Sequence, residues 1–152
     1  MIRKIDLENQ TLVQELFSLQ RIAYLIEAKL IDFYDIPPLK ESIEELLECG
    51  ETFLGYFEDD ELAGAVSFTK KGEELTICRM VVHPNHFRKG IGQKLLKSVE
   101  ELESAIPIIR VSTGRDNFPA KKLYQKNGYQ LEKEIEVAPG FYISSFKKER
   151  LY

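Results

Sequence analysis

Three strand-like stretches follow one another between Thr52 and Pro84 with almost nothing between them, and this arrangement limits the fold more than anything else in the chain. "TFLGYFE" (Thr52–Glu58) and "ELAGAVSFTK" (Glu61–Lys70) flank Asp59-Asp60, a hairpin signal. "KKGEE" makes the next turn, and "ELTICRMVVHP" (Glu74–Pro84) is a third run that ends at its proline. Strands this close in sequence pair antiparallel, because a parallel partner needs a crossover of about a dozen residues or more. An antiparallel meander is therefore expected at the heart of the fold.

The flanking segments change period. From Thr11 to Lys29 the apolar residues Leu12, Leu16, Leu19, Ala23 and Ile26 recur at helical spacing, with Thr11 placed as N-cap. "IPPL" (Ile36–Leu39) interrupts the pattern. A second helix, Lys40–Cys49, follows with Ile43, Leu46 and Leu47 on one face and Gly50 as its stop. Beyond Gly92, Leu95, Leu96, Val99 and Leu102 mark a helix to about Glu103, and "PIIRVST" (Pro107–Thr113) is a short strand. Strand, helix, strand over Glu74–Thr113 implies a parallel crossover. Asn117–Asn127 reads as a further helix, and "YQLEKEIEV" with "FYISSFKK" as a closing hairpin through Pro139-Gly140. "IRKIDL" alternates as a first strand. The expectation is one α+β domain over residues 1–152 with a mixed, mainly antiparallel sheet flanked by helices.

Composition narrows the function classes. The chain of 152 residues is 43% hydrophobic and 30% charged, with a formal net charge of -4, which carries no basic footprint for nucleic acid. Its two cysteines, Cys49 and Cys78, form neither a disulfide framework nor a metal-ligand spacing, and Cys78 reads as a buried small hydrophobe. No apolar run reaches membrane-spanning length and the N-terminus has no signal-peptide pattern, so a cytoplasmic setting is expected, with no membrane partner and no metal.

The third strand runs into "HPNHFRKGIGQ" and then a helix. The first N–H groups of a helix lack internal partners and carry partial positive charge, so such a loop suits an anion. Gly90 and Gly92 allow close backbone approach, and Arg88 and Lys89 add charge. A Walker loop is absent, and "GIG" is only part of a dinucleotide loop. The residues alone leave two readings: a pyrophosphate site over Arg88–Lys94, or a tight strand-to-helix turn.

Two blocks resemble the GNAT superfamily of acetyl-CoA-dependent N-acetyltransferases. "VHPNHFRKGIG" is similar to that family's V-x-P-x-x-[QR]-x-x-G-x-[GA] at Val82, Pro84, Gly90 and Gly92, with Phe87 standing at the Gln/Arg position. "NFPAKKLYQKNGY" is similar to its N-x-x-A-x-x-L-Y-x-x-x-G-[FY] at Asn117, Ala120, Leu123, Tyr124, Gly128 and Tyr129. The blocks stand in the family's order and at its usual separation. The resemblance implies a GNAT-like fold, acetyl-CoA as co-substrate and a primary amine of a small molecule or peptide as acceptor. Met80, Val81 and Val82 would offer backbone hydrogen bonds to the pantetheine arm. Arg88, Lys89, Gly90, Ile91, Gly92 and Gln93 would cradle the pyrophosphate. Asn117, with Ala120 beside it, would meet the pantetheine or cap its own helix. Tyr124 would protonate the departing thiolate, against the plainer reading of a core tyrosine.

The base is open on sequence. The position where some relatives carry a glutamate is Thr76 here, which cannot serve. Glu74 shares that strand face and is the candidate base, or else a solvent charge at a hairpin end. His83 and His86 flank the phosphate loop and read as surface or CoA-adjacent groups. For the acceptor, "EAKLIDFYDIPPLKES" supplies Phe33, Tyr34 and the acids Glu27, Asp32, Asp35 and Glu41; Glu27 and Tyr34 are the chosen contacts. A non-catalytic acyl-CoA-binding module on the same fold is the second reading. A homodimer through "FYISSFKK" at a sheet edge is a further expectation.

Overall fold

The structure is a computed structural model that describes residues 1–150. Strand β1 (Ile2–Lys4) leads into the long helix α1 (Gln10–Ile31). Asn9, not Thr11, is its N-cap: the Asn9 side chain accepts from the Leu12 N–H at 3.1 Å, and the helix starts two residues earlier than the apolar spacing implies. Asp32 closes the other end in a left-handed conformation. The expected second helix is two short ones, α2 (Pro37–Lys40) and α3 (Ile43–Leu47). Pro37 opens α2 instead of breaking it, since its fixed φ suits a first helical position. Ser42 and Glu45 then form a capping box, which holds Ser42 extended and divides the segment.

One sheet carries the seven strands of the described residues, in the order β1-β2-β3-β4-β5-β7-β6. The meander is β2 (Thr52–Glu58), β3 (Glu61–Lys71) and β4 (Glu74–Val82), antiparallel throughout. Helix α4 (Ile91–Leu102) crosses over to β5 (Ile108–Gly114), which pairs parallel with β4. Helix α5 (Phe118–Lys126) follows, then β6 (Gln130–Ala138) and β7 (Phe141–Glu149). The sheet is thus mixed and mainly antiparallel, with one parallel join at β4–β5. The strand expected at an edge, β7, lies inside the sheet between β5 and β6, so its backbone is already paired on both sides and cannot recruit a second subunit. The edges are β1 and β6.

Two apolar clusters cover the two faces. One joins Leu75, Ile77, Val111 and Phe146 of the sheet to Leu95, Leu96 and Val99 of α4 and Tyr124 of α5. The other joins Phe53, Phe57, Ala65 and Val81 to Val13, Leu16, Leu19 and Ala28 of α1 and Leu46 of α3. Helix α4 sits close on the sheet because β3 carries Gly64: a side chain there would come within 2.8 Å of Ile91. No helix among the described residues is long and apolar enough to cross a membrane.

Candidate functional site

Strand β4 changes phase at Cys78. Phe68 faces Ile77 across the β3–β4 ladder and Ser67 faces Arg79, so Cys78 is one residue too many. Before the bulge, Leu75 and Ile77 face α4; after it, Met80 and Val82 do, while Val81 turns to α1. Cys78 is therefore exposed rather than buried, because the bulge removes it from the alternation. The parallel pairing of β4 with β5 ends at Ile77–Val111, just beside the bulge. From there to Val82, β4 keeps β3 on one side and leaves its other edge unpaired. A free strand edge is a row of N–H and C=O groups able to pair with an extended amide-bearing chain.

That edge points at the start of α4. His83 opens a short 3-10 turn, Pro84–His86, with its own side chain accepting from the Asn85 N–H. Phe87 follows, half exposed, and Arg88 adopts a left-handed φ of 67°. Gly90 is the N-cap of α4, also left-handed at φ 73°, a conformation that favours glycine. It supplies no side-chain cap, and the first turn of α4 holds no acid. By contrast Asn9, Ser42 and Asn117 cap their helices with side chains. The leading N–H groups of α4 are left for an outside acceptor. Arg88 is exposed, and no partner for its guanidinium occurs among the described residues. Lys89 is engaged: its Nζ lies 3.2 Å from Glu58, which also lies 2.9 Å from His86 Nδ1. The hydrogen bond from Lys89, first among the causes, holds the Glu58 carboxyl below its usual range.

Behind the open edge lies the expected acceptor contact Glu27, in a pairing that no local pattern announces. Glu27 of α1, partly buried, accepts from Asn117 Nδ2 at 2.6 Å. The same Nδ2 reaches Thr113 Oγ1 of β5 at 3.2 Å, while Asn117 Oδ1 caps α5 at the Ala120 N–H. Asn117 is thus committed at both ends to the chain itself, as helix cap and as carboxylate donor. Tyr124, on α5, is 3% exposed and packs against Tyr129 and Phe146. No partner for its hydroxyl occurs among the described residues, yet the oxygen is not sealed from solvent. Burial first, and the charge of Glu27 second, push its phenol well above the ordinary tyrosine range. Burial pushes the Glu27 carboxyl up, against the hydrogen bond from Asn117. Tyr24, one turn earlier on α1, is raised by burial and then by the same Glu27 charge.

Other expected site residues stand elsewhere. Glu74 begins β4, opposite Ile108, and pairs with Arg110 at 3.2 Å. Its carboxylate is taken by that ion pair, and burial and Glu27, not Glu74, are what act on the Tyr124 phenol. Tyr34 is 54% exposed and touches neither Glu27 nor Tyr124 by any hydrogen bond or ring contact among the described residues. Glu41 is not free to attract an amine, because it forms a two-point ion pair with Arg79. Arg79 also bonds Glu51 at 2.9 Å and Gln20 at 2.9 Å, tying α1, the α2–α3 junction and the start of β2 to the bulged strand. Sequence reading missed this centre; an arginine inside an apolar strand run was its only signal. Beside it lies a cleft of about 450 Å³, with Pro37, Glu41, Glu51, Cys78 and Arg79 in its lining.

The sequence profile described as "Acetyltransferase (GNAT) family" matches residues 13–129, which take in most of α1 and the whole Tyr124 block. The chain belongs to the GNAT acetyltransferase family. A relative from Bacillus subtilis (strain 168), the UPF0157 protein YqkA, is 37% identical over 146 residues, which is 96% of this chain and 43% of that one. The chain thus spans less than half the length of that relative. The GNAT fold is matched in solved structures too. The PaiA N-acetyltransferase from Thermoplasma acidophilum, in complex with coenzyme A, superposes with a TM-score of 0.79 at 22% identity, over 99% of this chain and 98% of that one. The ribosomal-protein-S18-alanine N-acetyltransferase from Escherichia coli gives 0.79 at 12% identity, over 98% and 92%.

Proposed function

We propose that this GNAT protein transfers the acetyl group of acetyl-CoA to a primary amine of a small molecule or peptide, with Tyr124 as the acid that meets the departing thiolate. The observation that carries this reading is the presence together, in one GNAT fold, of an unpaired edge of β4, an uncapped start of α4 and an unpartnered Tyr124 hydroxyl. Pantetheine amides would pair with the backbone of Met80–Val82 as a neighbouring strand would. The pyrophosphate would take the N–H groups from Gly90 to Gln93, with Arg88 adding charge. Phe87 costs the loop one polar side chain, but the backbone donors do not depend on it. A backbone N–H near Val81 would steady the oxygen of the tetrahedral intermediate. Tyr124 stays protonated at neutral pH because burial and Glu27 both oppose its ionisation, so it holds a proton to give.

Calorimetric titration of acetyl-CoA tests the binding half. Wild type should bind at micromolar affinity or better, and Gly90→Asp, which sets a negative charge at the helix start, should abolish binding. No binding by wild type would sink the reading. The acceptor is then sought with a panel of spermidine, kanamycin and a short peptide with a free N-terminal alanine, read by thiol release.

A further inference from the structure

We propose that Glu27 of α1, held by Asn117 at the start of the helix that carries Tyr124, is the group that takes the proton an incoming ammonium must lose before it attacks, and that Asn117 is its positioning residue. The proposal rests on the acetyl-transfer reading and adds the base that β4 does not supply: Thr76 cannot accept a proton, and Glu74 is paired with Arg110 at the far end of the strand.

Three observations carry it. First, Glu27 lies where the sheet opens. Its partner Asn117 Nδ2 also bonds Thr113, and Thr113 belongs to the part of β5 that follows the last β4–β5 pair, Ile77–Val111. Second, the carboxylate has spare capacity. One Glu27 oxygen accepts from Asn117 and no other hydrogen bond or ion pair to this carboxylate occurs among the described residues, although Arg79 and Lys40 lie on neighbouring elements. Glu41 and Glu51, by contrast, are consumed by Arg79. Third, a partly buried carboxylate without a cation is costly to keep unless something uses it. The groups that face Glu27 are Tyr24 on its own helix, Tyr124 and Asn117 from α5 and Thr113 from β5; Arg79 and Glu51 act on Tyr24 behind it. None is a cation in contact with it, and burial raises its affinity for a proton.

The step balances. The acceptor arrives as R–NH3+ and gives one proton to the Glu27 carboxylate. The neutral nitrogen then forms a bond to the thioester carbon, and the nitrogen becomes positive as the carbonyl oxygen becomes negative. The C–S bond breaks and the carbonyl re-forms. The thiolate takes the phenolic proton of Tyr124, and Tyr124 recovers one from the nitrogen. Products are the acetamide, CoA thiol and one proton on Glu27, which leaves to solvent. Glu27 and Tyr124 are coupled in a useful sense. The negative charge that helps hold the Tyr124 proton disappears when Glu27 is protonated, so the phenol becomes a better acid as the amine becomes a nucleophile.

Glu27→Gln keeps the shape and can still accept from Asn117. With the panel amine of highest turnover, the variant should keep its acetyl-CoA affinity by calorimetry and lose kcat by roughly 10²- to 10⁴-fold at neutral pH. The loss should shrink as pH rises toward the pKa of the amine, because solvent then delivers the neutral nucleophile. The wild-type acid limb, with its midpoint above the ordinary glutamate range, should be missing from the variant. A wild-type to variant ratio that stays constant with pH would overturn the proposal, since a structural role has no such dependence. A rise in KM with kcat intact would overturn it as well, leaving Glu27 an amine contact. If wild type itself binds acetyl-CoA and releases no thiol with any panel amine, the acetyl-transfer reading has failed and this proposal with it.

Discussion

Gly64→Ala adds a single methyl to β3, and its effect can be worked from the packing. The new Cβ would lie 2.8 Å from Ile91 Cγ2, 3.1 Å from the Val81 carbonyl oxygen and 3.3 Å from Leu95 Cδ1. Ordinary contacts between carbon atoms begin at about 3.5 Å. Ile91 and Leu95 are 2% and 0% exposed, so neither has room to retreat, and the carbonyl is part of the backbone of the open strand. The chain must separate α4 from the sheet by several tenths of an ångström. Overpacking of this kind costs about 1–3 kcal/mol, which lowers a urea midpoint by roughly 0.5–1.5 M. It also moves the N–H groups of Ile91–Gln93 away from the edge of β4, so acetyl-CoA affinity should fall with stability. Gly90→Ala makes the contrast: its Cβ meets nothing within 4 Å, and only the left-handed φ of 73° is strained, about 1–2 kcal/mol. Asn, which tolerates that conformation, should rescue position 90 and not position 64. A Gly64→Ala midpoint within about 0.2 M of wild type would refute the close approach of α4 to β3.

Further outcomes follow from the charges. Glu27 has a folded-state pKa above its unfolded one, so folding binds a proton and the contribution of this group falls as pH rises through that interval. Glu27→Gln should therefore raise Tm at neutral pH and leave it unchanged at acid pH, measured by thermal scans at both. Asn117→Ala removes the α5 cap, at about 0.5–2 kcal/mol, and moves the acid limb of the activity profile to higher pH, because the hydrogen bond that lowers the Glu27 pKa is gone. Glu58→Gln releases Lys89 from its ion pair, so acetyl-CoA should bind more tightly and with a steeper dependence on salt; unchanged affinity would mean that Lys89 does not reach the ligand.

Much of the scaffold was readable because its periods are clean. The 52–84 meander, the α4 crossover and the closing hairpin stand where the alternation and helical spacing put them. What escaped were features that depend on partners distant in sequence. A bulge leaves no local mark, so Cys78 read as core although the extra residue opposite Phe68 and Ser67 turns it outward. The insertion of β7 between β5 and β6 is a tertiary choice; hairpin spacing shows that the two strands pair, not which of them meets β5. Ser42 hid a helix break inside an apolar pattern, because capping chemistry outranked spacing there. At the candidate site, the loop before α4 and the Tyr124 block were visible as motifs. The meeting of Glu27 with Asn117, ninety residues away, was not, and sequence singled out Glu27 only as an acceptor contact.

Turnover measured on wild type and Tyr124→Phe side by side decides whether Tyr124 is the acid of an acetyl transfer. Thiol release from acetyl-CoA would be followed with the amine panel, with mass analysis of the acetylated product and calorimetry of acetyl-CoA on both proteins. Wild type should give thiol and acetamide in equal amounts, and the phenylalanine variant should bind acetyl-CoA as well but turn over roughly 10²-fold or more slowly. Wild type that binds acetyl-CoA without forming any acetamide, or a variant as fast as wild type, would contradict that role for Tyr124.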